Sequence, residues 1–149
     1  LGGERLAGEM SGHIFFADRY YGFDDALYSA CRLLEIVANS GQPLSAQLAD
    51  LPKTVTTPEI RFDCADELKF DVVSRAMKEL RAKHQTLDVD GVRVIFPQGW
   101  GLVRASNTQP VLVMRFEATT LELLEEYRRE VESVVERAKA SAQRPARKA

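Results

Sequence analysis

A surplus of one charge sign, long apolar runs and a cysteine framework are all missing from this sequence. Its 20 Lys and Arg stand against 22 Asp and Glu, a formal net charge of −2. That near-neutral balance, with a pI of about 5.8, argues against a dedicated nucleic-acid binder. No stretch approaches the ~18 consecutive apolar residues of a membrane span. The two cysteines, Cys31 and Cys64, sit in neither a CxxC nor a His-rich setting, so disulfide and zinc frameworks lack support and a cytoplasmic setting fits best. Leu1-Gly2-Gly3-Glu4 shows no initiator Met, basic region or apolar segment, and does not read as a secretory signal. A cut from the middle of a longer chain explains that start more simply than a processed mature terminus. What remains is globular: 45% hydrophobic and 28% charged residues over 149 positions, enough for one domain, or one small domain and a piece of another.

Residues 1–13 are rich in Gly and polar groups and read as a loop flanked by short extended pieces. Gly22-Phe23-Asp24-Asp25 then offers acidic residues to a helix start. Leu27, Ala30, Leu34 and Val37 recur on one face of that helix, and Leu33 and Ile36 add a second, so it expects burial on more than one side. Asn39-Ser40-Gly41 stops it, and a shorter helical turn runs from Leu44 to Leu51. Lys53 to Pro58 is extended and leads into a strand through Ile60 and Phe62. A second helix is expected from Glu67 to about Lys83, with Asp66 at its start and the stripe Phe70, Val73, Met77 and Leu80. His84 reads as a surface partner of that helix's C-terminal dipole.

A meander follows. Asp90-Gly91 between Thr86–Val89 and Val92–Ile95 is a two-residue type I′ hairpin signal. Trp100–Arg104 and Val111–Glu117 add strands, and Thr119 with Glu122 forms a capping box for a last helix. Its stripe is Leu124, Tyr127, Val131, Val134 and Ala138. The basic residues of 137–149 read as a frayed tail. The expected fold is α+β: a small antiparallel four-stranded sheet with two helices on one face over 54–136. Residues 1–53 cannot close a core by themselves and read as an incomplete α/β remnant, whose helix over 24–38 invites self-association.

Two loops carry chemistry. Arg104-Ala105-Ser106-Asn107-Thr108-Gln109-Pro110 holds a guanidinium fork suited to phosphate oxygens, two hydroxyls and a carboxamide. The same run is also ordinary turn chemistry, and the two readings stand side by side. It contains no base and no metal ligand, so it can bind but not react. In Gly8-Glu9-Met10-Ser11-Gly12-His13 the glycines allow close approach, and a carboxylate near a hydroxyl can clasp vicinal sugar hydroxyls. His13 suits a phosphate contact, an acid/base role, or a structural hydrogen bond.

These two motifs, in this order and with Gly99-Trp100-Gly101-Leu102-Val103 leading into the second, resemble the α-D-phosphohexomutase superfamily. The resemblance is nearest to its bacterial phosphomannomutase/phosphoglucomutase branch, where Met10 stands in place of another branch's Gln. It also takes in Thr56-Thr57-Pro58-Glu59-Ile60 and Asp90-Gly91-Val92-Arg93. It implies the end of a third domain (1–53) and a TATA-box-binding-protein-like fourth domain (54–136). By resemblance, Glu9, Ser11 and His13 would bind the sugar, and Arg104, Ser106, Asn107 and Thr108 would bind its phosphate. Gln109 replaces a small hydroxyl residue often found there. The phosphoserine loop Thr-Ala-Ser-His-Asn-Pro and the Mg²⁺ loop Asp-Gly-Asp-Gly-Asp-Arg occur nowhere in the 149 residues. The resemblance therefore implies a phosphorylated hexose and the remaining domains of a parent enzyme as partners. Mg²⁺ and glucose-1,6-bisphosphate would serve that parent, and neither nucleic acid nor membrane is expected. A standalone, non-catalytic phosphosugar-binding or interaction domain is the alternative.

Overall fold

The computed structural model describes residues 5–9 and 11–143. Met10, the early Gly2 and Gly3, and the tail residues Arg144, Arg147 and Lys148 lie outside them. The chain divides into two units, Leu1–Leu51 and Pro52–Ala149.

In the first unit, β1 (Leu6–Gly8) and β2 (Ile14–Phe16) pair antiparallel, and helix α1 spans Ala26–Ser40. Asp25 caps α1 by accepting from the Tyr28 N–H at 2.9 Å, and Gly41 ends it in the left-handed region at φ 65°. Tyr20 donates to Asp25 at 2.5 Å and stacks on Tyr28 at 4.0 Å. Arg32 grips Asp18 through two hydrogen bonds while lying over the Phe16 ring. That bond holds the Asp18 carboxyl at about 2, well below its ordinary value. Polar and aromatic contacts do the ordering here, because no described residue of this unit is buried. Leu27, Leu33, Leu34 and Ile36 all stay exposed on α1, as a helix with two unmatched apolar faces should leave them. The expected turn over Leu44–Leu51 is helical only as a 3-10 turn at Leu44–Ala46.

The second unit is a twisted antiparallel sheet covered on one side. Its strands are β3 (Val55–Thr56), β4 (Ile60–Asp63), β5 (Gln85–Leu87), β6 (Val92–Phe96), β7 (Gly99–Ala105) and β8 (Val111–Ala118). The order is β3-β8-β7-β6-β5, with β4 sharing β8's outer edge with β3, so six strands stand where four were expected. At the break between β3 and β4 the buried Thr57 replaces a ladder group. Its N–H donates to the Phe116 carbonyl, and its hydroxyl accepts from the Phe116 N–H at 3.1 Å. Val92, Val94, Val103, Leu112, Met114 and Phe116 alternate onto the covered face, where α2 (Lys69–Arg81) and α3 (Leu121–Ala142) pack. The other face carries Arg93 stacked over Trp100 at 4.1 Å.

Several local expectations shift. α2 is shorter than Glu67–Lys83, has no side-chain cap, and buries Val72, Val73, Ala76 and Leu80. Phe70 is 61% exposed and borders a shallow cleft of about 210 Å³ with Met77, Asp90 and Gly91. The cap of α3 is Thr120, which accepts from Leu123 N–H, and not Thr119. Its stripe is buried as expected. α3 continues to Ala142, six residues into the segment expected to fray, as Lys139 bonds the Asp63 carbonyl and Arg137 bonds Glu79. His84 is half-buried rather than freely exposed: it meets Glu130 of α3 at 2.7 Å and presents its ring against Phe96.

Candidate functional site

The two loops belong to different units and are built differently. In the first, the N–H of Glu9 donates to the His13 carbonyl at 2.8 Å, and the N–H of Gly12 donates to the Glu9 carbonyl at 3.0 Å. Gly12 sits at φ +92°, where a side chain would be strained. The loop is thereby closed at the end of the β1–β2 hairpin, and its polar side chains are exposed. Ser11 donates to a Glu9 carboxylate oxygen at 3.1 Å, so this pair presents a carboxylate and a hydroxyl together. His13 bonds through Nδ1 to Asp24 at 2.6 Å. That hydrogen bond and the charge of Asp24 raise the His13 pKa above the ordinary histidine value. The Asp24-Asp25 pair thus splits its work: Asp25 caps the helix, while Asp24 holds the imidazole.

The second loop leaves β7 at Ala105 and rejoins the sheet at Val111. The Ser106 N–H donates to the Val111 carbonyl at 3.0 Å. The buried Ser106 hydroxyl accepts from the Thr108 and Gln109 N–H groups, fixing a turn by the mechanism that favours serine there. Asn107 and Thr108 form the exposed tip, and among the described residues neither side chain has a hydrogen-bond partner. Arg104, at the end of β7, lies 3.7 Å from the Asp90 carboxylate, a separation too long for a hydrogen bond. The two form a long ion pair, and among the described residues the fork makes no hydrogen bond. The loop brings one guanidinium, a turn stabilised by serine and two uncommitted polar tips into one place, suited to a tetrahedral oxyanion.

Asp90-Gly91 does not make the expected type I′ turn. Leu87 pairs with Arg93 and four residues, 88–91, join β5 to β6, and Asp90 lacks positive φ. Gly91, at φ +82°, instead packs on the backbone of Val103 and Arg104: a Cβ there would overlap the Val103 carbonyl oxygen and come within 2.8 Å of the Arg104 Cα. The dipeptide supports the arginine rather than turning a tight hairpin. Gln109 is likewise held, its side-chain carbonyl accepting from Arg61 of β4 at 2.8 Å.

Among the described residues no three His, Cys, Asp or Glu side chains converge to hold a metal ion. The described residues do not fit Mg²⁺. No described helix is long and apolar enough to cross a membrane.

Residues 59–134 match the phosphoglucomutase/phosphomannomutase C-terminal domain, and residues 2–55 match the alpha/beta/alpha domain III of the same family. A phosphomannomutase/phosphoglucomutase of Pseudomonas putida is 52% identical over 117 residues, covering 78% of this chain and 25% of that protein. A phosphoglucomutase of Neisseria gonorrhoeae is 43% identical over 137 residues, covering 90% and 30%. A crystal structure of a phosphoglucomutase/phosphomannomutase family protein from Burkholderia thailandensis superposes with a TM-score of 0.73 at 43% identity, covering 91% of this chain and 28% of that one. The chain spans between a quarter and a third of the length of these relatives.

Proposed function

We propose that this chain, which belongs to the phosphoglucomutase/phosphomannomutase family, is the phosphosugar-gripping part of a cytoplasmic phosphohexomutase that interconverts 1-phospho and 6-phospho hexoses. In such an enzyme a phosphoserine gives its phosphoryl group to the sugar, the bisphosphorylated sugar reorients, and the other phosphoryl group returns to the serine. Both transfers are accelerated mainly by positioning and charge neutralisation. The residues here have the means for that share and no nucleophile for the rest. Arg104 offers a fork to the non-reacting phosphate, and Ser106, Asn107 and Thr108 offer hydroxyl and carboxamide donors to its other oxygens. Glu9 and Ser11 accept from and donate to sugar hydroxyls, with His13 close by in its loop. The phosphoserine, Mg²⁺ and the glucose-1,6-bisphosphate activator belong on this reading to the remaining domains of the parent.

The observation that carries the proposal is the loop 104–110, which commits its backbone to the turn while leaving the Arg104 fork in no more than a long ion pair and the Asn107 and Thr108 side chains without a partner among the described residues. Titration of the isotope-labelled chain with glucose 1-phosphate, followed by amide NMR, tests it. Saturable shifts at Ser106–Thr108, absent with glucose, are expected. Equal response to glucose and glucose 1-phosphate would return the loop to plain turn chemistry. The purified 149-residue chain should also show no mutase turnover by itself.

A further inference from the structure

Lys69 breaks two rules at once. It is only 2% exposed, although a lysine is rarely buried without full pairing. It is also the first residue of α2, where the helix dipole disfavours a cation. Among the described residues its sole carboxylate partner is Asp66, at 2.7 Å, and the Asp66 side chain is 71% exposed. The other hydrogen bond of the ammonium runs to the main-chain carbonyl of Gln109, at 3.4 Å.

That carbonyl is a junction of the loop. It also accepts from the Val111 N–H at 2.9 Å, while the N–H of Gln109 is bound by the Ser106 hydroxyl. Around it, β4 and the connector that follows it make two more contacts: Arg61 with the Gln109 side chain, and the Cys64 N–H with the Pro110 carbonyl at 3.0 Å. The limb 109–110 is therefore clamped from 61–69, whereas the tip 107–108 is open. Of the three clamps, only Lys69 carries a buried charge.

We propose that Lys69 is a positioning residue: its buried ammonium fixes the Gln109 carbonyl and so holds loop 104–110 in its anion-accepting shape. It acts through the backbone of Gln109. The benefit to an anion rests on the phosphate-binding reading above, whereas the loop's shape can be tested without ligand.

The experiment compares the 149-residue chain with Lys69→Met, which keeps the volume and removes the charge, and Lys69→Arg, which restores a cation. Without ligand, amide hydrogen exchange at Ser106, Gln109 and Val111 should speed up at least about tenfold in Lys69→Met, with the amides of α3 and of central β7 unchanged. Lys69→Arg should recover part of the protection. Because replacing a buried ion pair by a hydrophobe often leaves stability unchanged or improved, the melting temperature should not fall with the loop. Unchanged exchange at these three amides, or acceleration spread evenly over the sheet, would overturn the proposal. Should Lys69→Met fail to fold, Asp66→Ala, at an exposed position, must loosen the same three amides; protection equal to wild type would overturn it. A second arm titrates inorganic phosphate. Wild type should shift at Ser106–Thr108, and Lys69→Met should bind at least about fivefold more weakly. A silent wild type would sink the phosphate reading and leave the exchange arm to decide Lys69. A responsive wild type matched by Lys69→Met would sink Lys69 alone.

Discussion

His13 Nδ1 and Asp24 Oδ2 lie 2.6 Å apart, and the Asp24 backbone is held beside Phe15 by an isolated antiparallel bridge. The carboxylate fixes which ring nitrogen is engaged, and among the described residues Nε2 has no partner. The raised pKa has a definite sign for stability. A histidine whose folded pKa lies above its unfolded value stabilises below the unfolded pKa, and that contribution is lost as pH rises through the folded value. NMR titration of the His13 ring should give a midpoint above the ordinary 6.5. Asp24→Asn should bring it down, with α1 still capped by Asp25. A midpoint indifferent to Asp24→Asn would remove the pairing from consideration.

Arg104 supplies the one fixed positive charge within 104–110. A charge-assisted hydrogen bond contributes about 1.5–3 kcal/mol, so Arg104→Ala should weaken phosphosugar binding at least about tenfold. Lys should rescue it only in part, because it lacks the planar fork. Melting temperature should scarcely change, since the side chain is a third exposed. Calorimetric titration and a melting curve on both variants check this together.

Gly91 predicts a different pattern. Alanine at φ +82° against the Val103 and Arg104 backbone must displace the segment under Arg104. Gly91→Ala should cost about 1–3 kcal/mol by denaturant unfolding and also weaken binding of glucose 1-phosphate. Loss of stability with binding intact would show that Arg104 does not depend on this support.

At the break in the sheet edge, Thr57→Val should leave the Phe116 N–H buried without an acceptor, a loss of about 1–3 kcal/mol. Thr57→Ser keeps the oxygen and should recover most of it. Equal melting temperatures for the two variants would assign the site to packing rather than to the hydroxyl.

The two cysteines should behave oppositely. Burial pushes the Cys64 thiol above its ordinary value and shields it, whereas Cys31 is exposed on α1. Alkylation of the native chain followed by peptide mass mapping should therefore modify Cys31 first and leave Cys64 until the chain unfolds. Early labelling of Cys64 would mean that the connector holding Pro110 opens readily.

Periodicity exposed the buried stripe of α3, because that stripe follows from the covered sheet face it packs on. It misplaced Phe70, since Val72, Ala76 and Leu80 set the phase of α2 and leave Phe70 exposed. The polar loops were legible as Gly-rich and Ser-Asn-Thr runs, whose turn chemistry is local. Their supports were not. Lys69 meets a carbonyl 40 positions away and Arg61 meets Gln109 across 48, distances no local pattern encodes. Asp24 read as a helix cap because its neighbour is one. The extension of α3 to Ala142 depends on Glu79 and on the Asp63 carbonyl, which a run of basic residues does not reveal.

The shared edge of β8 has one more consequence. β3 and β4 are two and four residues long, separated by Pro58, and the opposite edge, β5, has only three residues. Neither side of the sheet offers a long, flat row of unpaired backbone groups on which another chain could extend the ladder. Strand addition between copies is thus disfavoured by construction, and aggregation of the chain on warming should begin from the apolar side chains of α1 instead.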